Sequence, residues 1–284
     1  MNTFLTSTRS PAIGPTIGQT IGRAARRLVP LGMLAVLVAA QGCSSLRYKK
    51  SEELWAESEQ RFRSAQYAEA VPYYDEILRR DGEDAEARFR RGFSREHAGE
   101  APAALEDYEA CGSKGDTRAL LHRANLNVRS GAYDAAEHDL AALRDSSLEP
   151  HDKVVQLTLV GTLRLRQGNA RLAAQSLERA CDLARGAADV HTMNHARGAH
   201  YNASQAYYQL GEFDKAAEHI DQYAKLTEAT GAALDGEDCY QIGVDHYLAG
   251  DFEGAKGWLA KADPDRRAKA ADILSDPAFF GARK

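Results

Sequence analysis

Small and apolar residues recur along this chain in a fixed order. From residue 51 onward a small residue is followed two positions later by an aromatic residue or alanine, and five positions later by alanine. The small residue is Ala65, Gly99, Gly131, Gly168, Gly211 and Gly250, so successive copies are 34, 32, 37, 43 and 39 residues apart. Tyr67, Ala101, Tyr133, Ala170, Phe213 and Phe252 fill the second position, and Ala70, Ala104, Ala136, Ala173, Ala216 and Ala255 the third. Two more positions keep step. Seven residues before each turn comes Ser58, Gly92, Ala124, Gly161, Ser204 or Gly243, and four residues after each alanine comes Tyr74, Tyr108, Leu140, Leu177, Ile220 or Leu259. Six concordant copies at such a period predict stacked structural repeats, each too small to bury its apolar face alone.

This pattern resembles the tetratricopeptide-repeat (TPR) family, in which two helices, A and B, meet at such a turn. The resemblance implies an all-α fold: a right-handed superhelical solenoid of six helix-turn-helix repeats across residues 51–264. In that frame glycine or alanine lets the chain leave helix A, and the alanine lets helix B approach the next helix A closely. The wider spacings late in the chain predict longer helices, above all from Val190 to Leu210. Asp263-Pro264 opens a further helix, and residues 265–284 are expected to form a capping helix and tail, with Ala268, Ala271, Ile273 and Leu274 on one side. Arg61, Arg95 and Arg164 depart from the family, standing where a large apolar side chain is usual.

The first 42 residues read as an address. They carry Arg9, Arg23, Arg26 and Arg27, no acid, and an apolar run from Leu28 to Ala40. Thirteen helical residues reach only about 20 Å, short of the roughly 30 Å of a hydrocarbon core, which argues against a membrane span. The sequence Val38-Ala39-Ala40-Gln41-Gly42-Cys43 resembles a bacterial lipobox, and the resemblance implies cleavage before Cys43 and lipidation of that residue. Secretory cleavage after Ala40 is the alternative. Residues 43–50 would then be a lipidated tether. Ser44 is unlike the aspartate that retains lipoproteins in the inner membrane, so the expected location is the outer membrane, facing the periplasm.

Charge narrows the partners. The net charge is -5 overall, but with the four leader arginines set aside 32 basic residues face 41 acidic ones. A surface of that sign does not suit phosphate backbones, which excludes nucleic acid. Cys43, Cys111, Cys181 and Cys239 are 58 or more residues apart, which fits neither a zinc framework nor a dense disulfide scaffold. The last three are expected as free, buried thiols. No G-x-S-x-G, H-E-x-x-H, Walker A or G-x-G-x-x-G motif is present, so the chain is not read as an enzyme and no cofactor is expected. His191 and His195 share one helical face, but two imidazoles are too few for zinc, and they read as surface histidines with no metal.

In the TPR family the inner face of each helix A serves the ligand. Mapped onto this chain, the groove candidates are Trp55, Phe62, Phe89, Phe93, Asn125, Tyr201, Gln205, Tyr208, Tyr240 and Tyr247. Aromatics there fit either partner recognition or hairpin packing. Of the lysine and asparagine that clamp C-terminal carboxylates in one TPR subclass, only Asn125 matches, so an extended or helical apolar segment suits the groove better. The expected role is a non-catalytic scaffold binding a protein or peptide of the cell envelope. Similarity to bacterial TPR lipoproteins suggests outer-membrane barrel insertion, secretin and pilus assembly, or recruitment of cell-wall hydrolases and proteases. A glycan- or small-ligand-binding solenoid is the alternative.

Overall fold

A computed structural model describes residues 46–144 and 148–266, with 268 and 275. The leader, Cys43 and most of the expected capping helix lie outside the described residues. Residues 49–284 form one unit, and residues 1–48 form another, of which only 46–48 are described.

Twelve helices of eight or more residues follow one another among the described residues, alternating between A and B roles. The A helices are α1 (Ser51–Arg63), α3 (Ala85–His97), α5 (Thr117–Ser130), α7 (Pro150–Arg166), α9 (Val190–Leu210) and α11 (Gly236–Leu248). The B helices are α2 (Tyr67–Arg80), α4 (Ala101–Gly112), α6 (Tyr133–Ala142), α8 (Ala170–Leu183), α10 (Phe213–Ala229) and α12 (Phe252–Leu259). The helix expected across Val190–Leu210 has 21 residues, the longest of the set. Local chemistry starts the A helices. Asp84, Asp116, Asp189 and Asp235 each accept a backbone N–H of the first turn, a cap contributing about 1 kcal/mol.

The recurring positions explain the hairpins. The first residue of all six turn motifs has positive φ, from 56° at Ala65 to 84° at Gly99, which reverses the chain between A and B. The alanine five residues on is fully buried in every repeat. Between helices, the small residue of A accepts the large residue of B sixteen positions later. A Cβ on Gly243 would stand 2.6 Å from Leu259 Cγ, and one on Gly161 would overlap Leu177. Close approach is therefore a steric requirement here, set by the missing side chain.

Packing is local in the chain. One apolar cluster joins Phe89, Tyr108 and Leu126, a second joins Leu121, Leu140 and Leu163, and a third joins Val154, Leu177 and Tyr207. Each unites neighbouring repeats, and no single centre collects them, as a solenoid requires. The three out-of-pattern arginines find polar partners in place of apolar packing. Arg61 donates to the Glu57 carbonyl at 3.1 Å, Arg95 bonds Asp107 at 2.9 Å, and Arg164 bonds Glu137 at 2.9 Å. Cys111, Cys181 and Cys239 are free and buried. Burial pushes the Cys111 thiol up to about 11 and that of Cys181 to about 12, so both are poor nucleophiles. Among the described residues no helix is long and apolar enough to cross a membrane.

Candidate functional site: a trough along the A helices

Among the A helices, α7 stands against both α5 and α9. Their shared face bounds a cavity of about 750 Å³, within the size range of ligand-accepting clefts. Phe89 and Phe93 of α3 wall one end. Leu121, Asn125 and Val128 of α5 continue the surface, then Val155, Thr158 and Thr162 of α7, and finally His191, His195 and Asn202 of α9.

The polar lining comes from α5, α7 and α9. Thr158 and Thr162 each donate a hydroxyl hydrogen bond to the carbonyl four residues back, at 2.8 and 2.7 Å. Asn202 Nδ2 donates to Thr162 Oγ1 at 2.9 Å, tying α9 to α7 across the trough wall. At the α3 end, Glu96 accepts from Tyr108 Oη at 2.8 Å and lies 3.0 Å from His122 Nδ1. Burial raises the Glu96 carboxyl, but the bond and charge of His122 outweigh it and hold the group below its ordinary value. His122 in turn stands edge-on to Phe89 at 5.7 Å and to Phe93 at 5.2 Å.

The ten groove candidates separate. Phe89, Phe93 and Asn125 line the cavity. Trp55 lies edge-on to Tyr74 at 6.0 Å, and Phe62 packs on Tyr67 and Phe93 at 5.6 and 5.1 Å. Tyr201 packs on Tyr223 at 5.3 Å, beside the cluster of Ile220 and Ile242. Gln205 is half-buried with no hydrogen-bond partner for Nε2. Tyr208 is 40% exposed and edge-on to Phe213 at 5.9 Å, Tyr247 meets Phe252 at 5.8 Å, and Arg266 lies 5.7 Å over Tyr240. These last seven do not line the trough.

Residues outside these ten candidates do line it. His151, in the first turn of α7, stands beside His191 and His195, with ring centroids 5.3 and 5.1 Å away. Only His191 is exposed; His195 is half-buried. Burial, and then the charges of His151 and His191, push His195 down to about 4. Between α8, α9 and α10 a second group joins Cys181, His200 and His219, whose two Nδ1 atoms are 3.0 Å apart. Only the His191-x-x-x-His195 spacing signalled either group. Their other members come from helices 19 or more residues away.

No family model matches the sequence, and no curated protein matches it. Solved structures do match. PilF of Pseudomonas aeruginosa is 14% identical with a TM-score of 0.61, over 86% of this chain and 100% of that one. PilW, described as a type IV pilus biogenesis factor, is also 14% identical at 0.61, over 82% and 98%. A tetratricopeptide repeat protein from Parabacteroides merdae is 15% identical at 0.55, over 81% and 89%. Likeness at this identity is a likeness of fold. With six left-handed turns, six buried alanines and six packed A–B hairpins, the chain has the tetratricopeptide-repeat fold.

Proposed function

We propose that this chain is a non-catalytic interaction scaffold of the bacterial cell envelope, held to a membrane by lipid on Cys43, which receives a segment of a partner protein in the α3–α9 trough. One observation carries the binding half of this reading: the trough presents both kinds of surface that a peptide needs. Phe89, Leu121, Val128 and Val155 offer apolar wall for side chains, and Asn125, Thr158, Thr162 and Asn202 offer amide and hydroxyl groups for backbone. The fold shared with PilW supports a repeat scaffold and says nothing of a pilus role.

A photo-crosslinking residue at Val155 tests the trough. It should form adducts with a defined partner in solubilised envelopes, while the same residue at exposed Arg171, outside the trough, should not. Asn125→Ala should weaken capture about fivefold, the net worth of one lost hydrogen bond. Equal adduct yield at both positions would remove the trough from consideration. For the anchor, Cys43→Ser should move the protein from the membrane to the soluble fraction, because two or more acyl chains are needed for durable attachment. Continued pelleting of that variant would exclude the lipid as the tether.

A further inference from the structure

Three imidazoles converge where α7 and α9 begin. His191 and His195, four residues apart, project from one face of α9. His151 reaches them from the first turn of α7, and the nitrogen atoms that the three offer all lie within 4.8 Å of one another. Around one tetrahedral ion, with metal–nitrogen bonds of about 2.0–2.1 Å, three imidazole centroids would be about 5.2 Å apart. Observed separations are 5.1, 5.3 and 6.2 Å, the longest between His191 and His195. Since His191 is exposed, its side chain can turn to close that gap.

The surroundings suit a cation held by neutral ligands. His151 Nδ1 lies 3.2 Å from Thr192 Oγ1, a bond that orients the ring and leaves Nε2 available. Thr192 is itself fixed, its N–H donating to Asp189 Oδ1 at 2.7 Å. All three residues border the trough, which leaves one side of the group open.

We infer that His151, His191 and His195 form a binding site for a divalent transition metal of the zinc class, with three protein ligands and a fourth position open to the trough. Three ligands and an open position distinguish it from closed structural zinc sites. The Cys181, His200 and His219 group is a poorer candidate. There the two imidazole Nδ1 atoms already face each other at 3.0 Å, and burial resists forming the thiolate. The site stands whether or not the trough takes a peptide.

The test uses the full chain, purified without a histidine tag, stripped with chelator and titrated with Co²⁺ and Zn²⁺ alone. One equivalent of Co²⁺ should bind with the visible absorption of a tetrahedral centre and no near-ultraviolet thiolate-to-cobalt band. His191→Ala and His151→Ala should weaken binding at least 100-fold, and Cys181→Ala should leave it unchanged. Since His191 is exposed, His191→Ala should melt like the metal-free parent and lose only the metal-dependent rise in Tm. Three results would overturn the inference: no binding by the parent, a thiolate band abolished by Cys181→Ala, or parental affinity in both histidine variants. Crosslinking at Val155 is read without metal, so it and the titration can fail separately.

Discussion

Asp139 of α6 takes both of its hydrogen bonds from the guanidinium of Arg123 in α5, at 2.9 and 2.5 Å, with the carboxylate 1% exposed. Arg91 and Asp107 make the same paired contact one repeat earlier, at 3.0 and 2.6 Å. Each pair is sixteen residues apart and sits one residue before the small–large pair of its hairpin, Ala124 with Leu140 and Gly92 with Tyr108. The ion pair and the steric nest are thus two readings of one helix-to-helix register.

Removing Asp139 takes from the largely buried Arg123 its buried partner and leaves it only the exposed Glu109. Asp139→Ala is expected to lower stability by about 3 kcal/mol. Replacing both partners, Arg123→Met with Asp139→Leu, should recover much of that loss. Urea denaturation of the parent and both variants measures it; a double variant as weak as the single would show that the ions, and not their pairing, hold the register.

Steric nesting is tested at Gly161. Alanine there would push a methyl into Leu177, so Gly161→Ala should destabilise by about 1–3 kcal/mol despite alanine's better helix propensity. Leu177→Val in the same chain should return part of the loss. At Ala173, fully buried on α8, leucine should be harmful by a similar amount. Parental denaturation midpoints in Gly161→Ala and Ala173→Leu would mean that the fourth hairpin does not close as described.

Ala65 is the one non-glycine residue with positive φ among the described residues, at 56°. Left-handed backbone at an L-residue costs about 1–2 kcal/mol, and glycine avoids that cost while adding chain entropy to the unfolded state. Ala65→Gly should therefore raise stability by about 0.5–1 kcal/mol. A lower Tm in this variant would contradict the strain.

Asp245 supplies a pH dependence. It is fully buried on α11, and although Gln241 Nε2 donates to it at 2.9 Å, burial pushes its carboxyl from 3.8 to about 6. The folded chain then holds the proton more tightly than the unfolded one, so this group's stabilising effect is complete below pH 3.8 and is lost as pH rises through about 6. At pH about 7.5 the loss approaches roughly 3 kcal/mol. Asp245→Asn should accordingly be more stable than the parent at that pH, and the gap should close near pH 4. Denaturation midpoints at the two pH values decide it; a gap of equal size at both would mean that the buried charge is not the cause.

The hairpins are legible in the sequence because their demands are steric and repeated. A left-handed turn, a fully buried alanine and a small residue opposite a large one each restrict residue type, and six copies align them. The trough is legible only in part. Phe89, Phe93 and Asn125 fall on the cavity, but α9 shows it Asn202 and not Tyr201, because Asn202 is the residue that bonds Thr162 of α7. The histidine group was hidden for a related reason. His151 precedes His191 by 40 residues, and nothing in the period says that α7 and α9 begin level with each other.

The apolar clusters of α3–α5, α5–α7 and α7–α10 have no residue in common. Amide exchange in such a chain should fade by degrees from one end to the other, without the single threshold of a globular protein. Damage to the first repeat would then shorten the working molecule and leave α7 and α9 standing. Resilience of that kind belongs to a beaded string, where a lost bead reduces length and not integrity.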